Sequence, residues 1–585
     1  MLAALLLAPA PAPAPAGAQR PGAATRLHAL FDSAWAFEVR EDPLLATEVG
    51  DHRYNDRLPA VSKDAEARRA QARRVFLDKL RAIDRTALDG TNRVSYDVFE
   101  RQLRDRIGEF DYSGYLLPLT ADYGFHMGFA DLPNRVPLAT TKDYENYIAR
   151  LRAFPAYVAE HIALMREGIA LGVTVPRVTL QGYEATIASH VVADVTKSVF
   201  WAPLERFPPG VPALVRERVR TAARAAIVDA VVPGYRSFLE FMTREYITGA
   251  RATLGASALP NGAAYYRFLV GRYTTLDVTP EQVHRTGLAE VQRIRAEMEA
   301  VMRRTGFQGD FPAFLSFLRT DSRFYAKTPD ELLKEAAWIA KRMDGKLPSL
   351  FKTLPRLPYG VEPVPAHIAP KFTAGRYISA PVGGRRAGYY WVNTHALESR
   401  PLYALEALTL HEAVPGHHLQ IALAQELEGL PAFRRFGAVT AFTEGWGLYA
   451  ERLGLEAGFY TDPYRDFGRL TYEMWRACRL VIDTGIHAMG WTREQALDYL
   501  ARNTALSLHE VRTEIDRYIS WPGQALAYKT GELKIRELRI EAERALGERF
   551  DVRSFHDAVL RNGEVPLSVL EEQVREWVRE AGRVR

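Results

Sequence analysis

Apolar residues recur at helical spacing along most of the chain. From about residue 25 to residue 350, long amphipathic runs such as YENYIARLRAFPAYVAEHIALMREGIALG and EQVHRTGLAEVQRIRAEMEAVMRRTG are separated by short breaks that contain Pro or Gly. The same periodicity resumes after residue 394 and continues to the C-terminus. The pattern therefore predicts a mainly α-helical protein.

One segment, between about Pro363 and Thr394, departs from helical spacing. Its two runs, KFTAGRYISAP and AGYYWVNTH, are rich in β-branched and aromatic residues and flank Gly383-Gly384. We expect a hairpin or small sheet there. YYWVN could form an edge strand that pairs with an extended peptide, with Asn393 reaching the peptide backbone. The alternative is that this run serves ordinary packing.

The N-terminus reads MLAALLLAPAPAPAPAGAQR, a short apolar run followed by an Ala-Pro stretch. Ala16-Gly17-Ala18 fits the small-x-small pattern of a signal-peptide cleavage site. We therefore interpret residues 1–18 as a signal peptide and expect export to the periplasm or the extracellular space. No Lys or Arg precedes the apolar run, so a wrong start codon or a disordered tail on a cytoplasmic protein are the alternatives.

Composition narrows the class of protein. A chain of 585 residues can hold two lobes or one large helical domain. Its 47% hydrophobic and 25% charged residues are typical of a soluble globular protein, and we expect no transmembrane segment. The net charge of +5 comes with both signs interspersed, so we expect no nucleic-acid partner. The single cysteine, Cys478, excludes an internal disulfide, a Cys-based zinc site and an N-terminal lipidated cysteine, and we expect it to be buried.

Nucleotide-dependent and serine-hydrolase chemistries are disfavoured because GxGxxG, GxxxxGK[ST] and GxSxG motifs are absent from the sequence. The segment LEALTLHEAVPGHHLQIALAQEL is more informative, since it places His411, Glu412, His417 and His418 in an apolar helical surround. In the HExxH helix, histidines four residues apart bind zinc and the Glu activates water. Here proline occupies position 415, where the second ligand would fall.

A straight helix cannot bring these histidines to one ion. His417 would lie roughly 240° around the helix from His411, and His418 would lie roughly 10.5 Å further along the axis. Two imidazoles must each come within about 2.1 Å of a shared zinc. Pro415 and Gly416 are suited to opening the helix into a wider turn, and a two-residue insertion then maps His417 onto the second ligand position. His418 is the alternative ligand. The histidine that does not bind the metal would contact the metal ligands instead.

A third protein ligand is expected from AFTEGWGLYAERLG, which supplies Glu444 on a following helix. Glu451 competes with it, and Glu444 is preferred because Gly445 and Gly447 leave room for the helix to approach the metal closely. A carboxylate at a helix start, stabilised by the helix dipole, is the alternative role for Glu444. His411, His417 and Glu444 would then hold one Zn²⁺ ion and leave a position for water.

Glu412 is the predicted general base, because a carboxylate beside a metal-activated water can take its proton and pass it to the leaving amine. Asp483 and His487 are four residues apart on a predicted helix. They could orient a metal ligand, although an ordinary contact within one helix is the simpler interpretation.

Groups that stabilise the oxyanion or bind substrate are expected in EIDRYISWPGQALAYKTG. Tyr518 or Tyr528 could donate a hydrogen bond to the oxyanion, and Arg517 could meet a substrate carboxylate. Packing on an amphipathic helix is the alternative for each of these residues.

The motifs HEAVPGHHLQ, FTEGWGLYAE, RACRLVIDTGIHAMGW and RYISWPGQALAYKTG together resemble the bacterial family known as domain of unknown function 885 (DUF885). ATEVGDHRYNDRLP, MREGIALGVTVPR and LPNGAAYYRFLV agree as well, so the resemblance spans roughly residues 25–580 as a single family domain. Members resemble helical zinc peptidases of the thimet oligopeptidase, angiotensin-converting enzyme and carboxypeptidase Taq kind.

This resemblance implies a two-lobed helical body with a deep channel, which we divide into an N-terminal lobe (19–362) and a lobe with the hairpin and catalytic helices (363–585). It carries over His411, Glu412 and Glu444 directly, and the second histidine through the Pro-Gly insertion. The leading hypothesis is a zinc metallopeptidase acting on short peptides. A zinc hydrolase of another amide-like C–N bond and a non-catalytic metal-containing binding protein are the alternatives.

Overall fold

The computed structural model describes residues 22–366, 368–380 and 386–583, and it is mainly helical. The predicted signal peptide at residues 1–18 lies outside the described residues. The helices of the first half are α1 (Ala23–Glu41), α2 (Pro43–Glu48), α3 (Lys63–Arg81), α4 (Gly90–Asp111), α5 (Phe125–Ala130), α6 (Leu132–Arg135), α7 (Thr141–Leu171), α8 (Glu184–Ala188), α9 (Ala213–Ala226), α10 (Val232–Phe241), α11 (Ile247–Gly249), α12 (Gly262–Thr274), α13 (Pro280–Arg304), α14 (Phe311–Thr320), α15 (Pro329–Asp344) and α16 (Leu347–Leu350).

The helices of the second half follow the small sheet. They are α17 (Leu405–Glu412), α18 (His417–Gln425), α19 (Ala432–Arg435), α20 (Thr440–Glu456), α21 (Pro463–Met489), α22 (Arg493–Asn503), α23 (Leu508–Ser520), α24 (Ala527–Leu546), α25 (Val552–Leu560) and α26 (Leu567–Arg583). None of the described helices is both long and apolar enough to span a membrane.

Local sequence accounts for where two of the longest helices, α7 and α13, begin. Thr140 caps α7 by accepting from the backbone N–H of Asp143, whose carboxylate accepts the N–H of Thr140 at 2.8 Å. Thr279 and Gln282 repeat this reciprocal cap at the start of α13. Such capping boxes satisfy helix-terminal N–H groups that would otherwise have no partner.

The sheet has three strands, β1 (Tyr359–Pro363), β2 (Gly375–Ile378) and β3 (Gly388–Val392). β2 and β3 pair in the antiparallel direction with Tyr377 opposite Tyr390, which confirms the predicted hairpin. β1 pairs with β3 in the parallel direction. The prediction that YYWVN forms an edge strand is therefore wrong, because β3 is the central strand and both of its sides are hydrogen-bonded. The edges belong to β1 and β2.

The two largest hydrophobic cores contain most of the buried apolar side chains of the described residues. The first core draws buried side chains from α1 at one end of the chain to α26 at the other. The second core is built from residues 119–250, centred on α7 and α10. The predicted division between residues 362 and 363 falls inside β1, and the first core contains residues from both sides of it.

Helix α21 is the central helix of the first core, since every residue from Asp466 to His487 is buried. Cys478 is among them, as predicted. α13 packs along one side of α21, and α20 packs on α24. α20 and α24 approach closely because their glycines face each other. A Cβ atom on Gly531 would lie 2.7 Å from the Cα atom of Gly445 and would overlap the carbonyl oxygen of Ala441.

We expect Gly531→Ala to destabilise the protein by roughly 1–3 kcal/mol, because the added methyl group must push two backbones apart. The measurement is the midpoint of thermal or denaturant unfolding. Gly582→Ala, in α26 with open space around its Cβ position, is the matched control and should be neutral or slightly stabilising. Equal midpoints for the two variants would contradict the tight crossing.

Candidate metal centre

The His-Glu motif is divided between two helices. α17 ends at Glu412, and the chain leaves helical geometry at Ala413, where φ is −93° and ψ is −113°. It passes through Pro415 and re-enters a helix at His417, the first residue of α18. The Pro-Gly pair thus does more than widen a turn, because it ends one helix and starts the next.

Two contacts fix this break. Gly416 has no room for a side chain, since a Cβ atom there would overlap the carbonyl oxygens of Leu410 and His411. The indole Nε1 of Trp446 donates to the carbonyl oxygen of Pro415 at 2.8 Å, which ties the connection to α20. The turn and the helix that carries Glu444 are therefore held in register.

The break brings His411, His417 and Glu444 together, with ligand atoms of all three within 4.8 Å of one another. Oε2 of Glu444 lies 3.4 Å from Nε2 of His411 and 3.6 Å from Nε2 of His417. These distances are long for strong hydrogen bonds. They suit co-ligands of one ion, because ligand atoms about 2.1 Å from a tetrahedral zinc are about 3.4 Å apart. The donor set therefore fits zinc, and its role as the ligand set stays a prediction.

Glu451 lies on the opposite side of His411, and its Oε1 is 2.8 Å from Nδ1 of that ring. The carboxylate therefore accepts the Nδ1 proton and leaves Nε2 free to face Glu444. A carboxylate behind a histidine is the usual support for a metal-binding imidazole. Gly447, between the two glutamates on α20, provides the space for this ring, since a Cβ atom there would be 2.7–3.0 Å from its atoms.

The electrostatics of the cluster favour a cation. Burial lowers the pKa of His411, but Glu444 and Glu451 on its two nitrogens outweigh that effect and raise the pKa to about 10. For the carboxyl group of Glu444, burial has the opposite effect and raises the pKa. The imidazoles of His411 and His417 outweigh it and hold the pKa of Glu444 well below its usual range. A metal ion would take the place of the proton that these groups otherwise share.

Glu412 lies next to the cluster and is nearly buried, with 8% of its surface exposed. Its Oε2 accepts a hydrogen bond at 2.8 Å from the backbone N–H of Tyr377, which points outward from the free edge of β2. The sheet thus orients the predicted general base.

His418 points away from the three ligand atoms and is not part of the cluster. Its Nδ1 lies 3.0 Å from the hydroxyl of Tyr377, and its ring packs on Tyr359 at 4.6 Å between centroids. Burial lowers the pKa of His418 to about 4, so the ring is neutral. Of the two candidates for the second ligand, the structure thus brings His417 to Glu444 and places His418 against the sheet.

Tyr518 and Arg517 are engaged in a buried network on α23. The hydroxyl of Tyr518 accepts from Nε1 of Trp475 and from Nε of Arg479, both at 2.8 Å, and only 1% of this residue is exposed. Arg517 donates to Oε1 of Gln524 at 2.9 Å. The location of Tyr518 corrects the suggestion that its hydroxyl faces substrate.

Tyr528 lies at the start of α24, and the guanidinium of Arg479 packs over its ring at 4.0 Å. Its hydroxyl has only long contacts, of 3.4 Å to Nη2 of Arg517 and 3.5 Å to Nε2 of Gln524.

Asn393 is fully buried and holds a loop. Its Nδ2 donates to the carbonyl oxygens of Ala369, Phe372 and Thr373 at 2.9–3.0 Å, and its Oδ1 accepts from the N–H of His395. With these bonds made, its amide is not directed at a peptide, and β3 has no free edge. The predicted contact from Asn393 to a substrate backbone is therefore corrected to a structural role.

Asp483 and His487 do not pair with each other, and each holds a different segment. Asp483 accepts from the hydroxyl of Tyr266 at 2.6 Å and from the N–H of Gly523 at 3.1 Å. His487 accepts from the N–H of Ala256 and donates to the carbonyl oxygen of Tyr518. Neither contacts the metal-ligand candidates through these bonds.

Sequence reasoning missed two supporting residues. Glu451 was weighed only as a ligand, although its seven-residue spacing from Glu444 puts both carboxylates on one face of α20, able to flank the same ring. Tyr377 gave no such signal, because its link to Glu412 runs through its backbone.

A sequence model of the family described as "Bacterial protein of unknown function (DUF885)" matches residues 43–574. No curated protein matches the chain. A crystal structure from Colwellia psychrerythraea, described as that of a candidate lipoprotein, is 30% identical with a TM-score of 0.90, covering 96% of this chain and all of the other.

A second solved structure, described as a candidate lipoprotein of unknown function from Shewanella oneidensis, is 17% identical with a TM-score of 0.67. The match covers 94% of this chain and 99% of the other. At this identity the likeness concerns the fold alone.

We expect His417→Ala to lose zinc and His418→Ala to keep it, because only the first ring lies beside Glu444. Removing a ligand should weaken zinc binding well beyond the roughly 10- to 100-fold typical of a lost supporting residue. Competition with a chelator, followed by metal analysis of the purified variants, gives the affinities. Zinc retained by His417→Ala but lost by His418→Ala would reverse the assignment.

Asp483 generates a pH prediction, because burial raises its pKa from 3.8 to about 7. Between about pH 4 and pH 7 the unfolded chain releases this proton while the folded protein keeps it, so rising pH costs stability through this group. Asp483→Asn removes that dependence. Its unfolding free energy relative to the parent should rise across this window, on the order of 2–4 kcal/mol.

Denaturant unfolding of both proteins at several pH values provides the measurement. Asp498→Asn, at an exposed position on α22, is the control and should show a constant offset. A constant offset for Asp483→Asn as well would contradict the raised pKa.

Proposed function

The chain belongs to the DUF885 family of bacterial proteins of unknown function, and we propose that it is a zinc-dependent metallopeptidase acting on short peptides. The observation that carries this proposal is the convergence of His411, His417 and Glu444 from α17, α18 and α20, with Glu412 beside them. Three protein ligands with a neighbouring carboxylate are the donor set of catalytic zinc sites.

A zinc ion in this set would supply Lewis acidity, lowering the pKa of a water molecule and polarising the scissile carbonyl. His411 would bind through Nε2, because Glu451 accepts the proton on Nδ1. The carboxylate of Glu412 is also held in place, because it accepts a hydrogen bond from the backbone N–H of Tyr377. Glu451 therefore orients the proposed ligand His411, and the backbone of Tyr377 orients the proposed base.

Glu412 acts as the general base in the proposed reaction. Its carboxylate removes a proton from the attacking water, whose oxygen bonds to the carbonyl carbon, and then delivers that proton to the amine as the C–N bond breaks. One peptide and one water molecule yield an acid and an amine. Since Tyr377 uses only Oε2, the second carboxylate oxygen is available for this transfer.

Tyr528 is the favoured donor to the oxyanion. Its long contacts to Arg517 and Gln524 leave its hydroxyl less committed than that of Tyr518, which accepts two hydrogen bonds of 2.8 Å. A donor of this kind stabilises negative charge as it develops on the carbonyl oxygen.

We also propose that the protein is exported. The solved structure from Colwellia psychrerythraea, which is 30% identical, is described as that of a candidate lipoprotein, and this agrees with the signal peptide predicted for residues 1–18.

The test is cleavage of a mixed peptide library followed by mass spectrometry, with and without chelator. We expect metal-dependent cleavage, and a loss of roughly 10²- to 10⁴-fold in rate for Glu412→Gln with zinc content unchanged. Glu428→Gln, at an exposed position after α18, is the matched control and should cleave normally. The cleavage sites report the end preference.

Two results would reject the peptidase: purified protein without stoichiometric zinc, or Glu412→Gln cleaving as fast as its parent. Zinc at full occupancy with no peptide cleaved would instead redirect the search to other amide-like C–N bonds.

A further inference from the structure

Glu564 is a half-buried carboxylate on the connection between α25 and α26, and the proposed reaction does not use it. Its Oε2 accepts a hydrogen bond from the backbone N–H of Val439 at 2.6 Å. Its Oε1 accepts a longer one, of 3.4 Å, from Nε2 of Gln420. Gln420 lies on α18 and Val439 directly precedes α20, so this carboxylate connects two of the helices that carry the candidate metal ligands.

The start of α20 depends on this carboxylate. Val439 occupies the capping position of α20, and its own side chain makes no capping hydrogen bond. The first N–H groups of a helix need acceptors, and a negative charge near them is favoured by the helix dipole. Glu564 provides both, from 125 residues further along the chain. Glu444 follows Val439 by five residues, which is roughly 7.5 Å along the helix axis.

The ring of His417 is held differently from that of His411. Nδ1 of His411 lies 2.8 Å from Oε1 of Glu451, whereas Nδ1 of His417 is buried with no hydrogen-bond partner among the described residues. The position of the His417 ring therefore depends on the placement of α18. Gln420 follows His417 by three residues, or roughly 4.5 Å along α18, and is the residue through which this helix reaches Glu564.

Glu564 and His417 are also close enough to interact electrostatically. Burial raises the pKa of Glu564, and the nearby imidazole of His417 opposes that rise. The hydroxyl of Thr443, the residue before Glu444, opposes it too, through a hydrogen bond. The carboxylate thus lies beside both ligand-bearing segments.

The loop that carries Glu564 is fixed by its own contacts. The carbonyl oxygen of Asn562 accepts from the guanidinium of Arg434. Nδ2 of the same residue donates to Oε1 of Gln573, on α26, at 2.7 Å. Gly563 adopts a φ of 62°, in the left-handed region that favours glycine. Glu564 is therefore presented from a loop whose path is set independently of α18 and α20.

We propose that Glu564 is a positioning residue of the candidate metal centre: its carboxylate holds α18 against the start of α20 and so sets the separation of His417 and Glu444. This inference rests on the proposed zinc site. Zinc ligands must each come within about 2.1 Å of the ion, so a small displacement of one helix weakens binding. Residues that orient metal ligands typically contribute roughly 10- to 100-fold to metal affinity.

The test measures the zinc affinity of the full chain by competition with a chromophoric chelator. We expect Glu564→Ala to bind zinc roughly 10- to 100-fold more weakly than the parent. Glu548→Ala, at an exposed position between α24 and α25, is the matched control and should bind zinc as the parent does. Unfolding of the metal-free proteins in excess chelator reports separately how much stability each variant loses.

A conservative variant separates hydrogen bonding from charge. In Glu564→Gln, the side-chain oxygen can still accept from the N–H of Val439. The new NH₂ group can donate to Oε1 of Gln420, which is buried without a partner among the described residues, once that amide turns over. We therefore expect Glu564→Gln to bind zinc less than about tenfold more weakly than the parent.

Gln420→Ala provides a second route to the same bridge and keeps the test decisive if Glu564→Ala does not fold. It removes one of the two donors, so we expect weaker zinc binding than in the parent, with a smaller loss than in Glu564→Ala. Because both residues act through one contact, the double variant should bind zinc no more weakly than Glu564→Ala alone.

Four results would overturn the proposal. They are parent-like zinc affinity in Glu564→Ala, a loss in Glu564→Gln as large as in Glu564→Ala, parent-like affinity in Gln420→Ala, and additive losses in the double variant. Lower stability of metal-free Glu564→Ala with unchanged zinc affinity would assign the residue to the fold alone. A parent that binds no zinc would reject the proposed function as well, whereas a zinc-binding parent with any of the four results rejects only this inference.

Discussion

The fold depends on one constraint, the pairing of charged side chains buried along α21. This helix carries charged groups every three or four residues within its buried part, Asp466 to His487: Asp466, Arg469, Glu473, Arg476 and Arg479. Each must find partners, because an isolated buried charge costs several kcal/mol. Glu473 meets Lys529 of α24 at 2.9 Å, and Arg479 meets Glu514 of α23 at 2.8 Å. These partners lie on the surrounding helices. The charge pairs therefore fix the positions of those helices relative to α21 as well as stabilising the fold.

This constraint extends to the candidate metal centre. Arg476 lies 3.6 Å from the same oxygen of Glu451 that holds His411, so the central helix fixes the carboxylate that orients the ring. Lys529 is fully buried between three carboxylates, including Glu532 one residue after the Gly531 crossing. The position of α20, and with it Glu444, therefore depends on charge pairing on one side and on glycine contacts on the other.

Periodicity and motif chemistry predicted the helices, the hairpin and the residues that converge at the centre. They did so because helical spacing is local, and because histidines beside a glutamate are rare in an apolar helix. The parallel pairing of β1 with β3 was not predictable in this way, since it joins strands 29 residues apart in register and places YYWVN in the middle of the sheet. The support that Tyr377 gives to Glu412 runs through a backbone N–H, and any residue type could provide it. The contact predicted from Asn393 to a substrate backbone failed for a related reason. Its side chain donates to carbonyl oxygens of a loop whose conformation cannot be predicted from local sequence.

The separation of α17 from α18 has a consequence for how the folded state responds to its surroundings. A metal held by His411, His417 and Glu444 would cross-link α17, α18 and α20. These are three separate helices, so no continuous helix fixes the distance between the ligands. If the metal binds only the folded chain, it raises the free energy of unfolding. The increase grows with the logarithm of the ratio of free metal concentration to the dissociation constant. Local order around the broken motif would then follow the supply of metal in the compartment where the protein resides, and the chain would register metal scarcity as a loosening of this region.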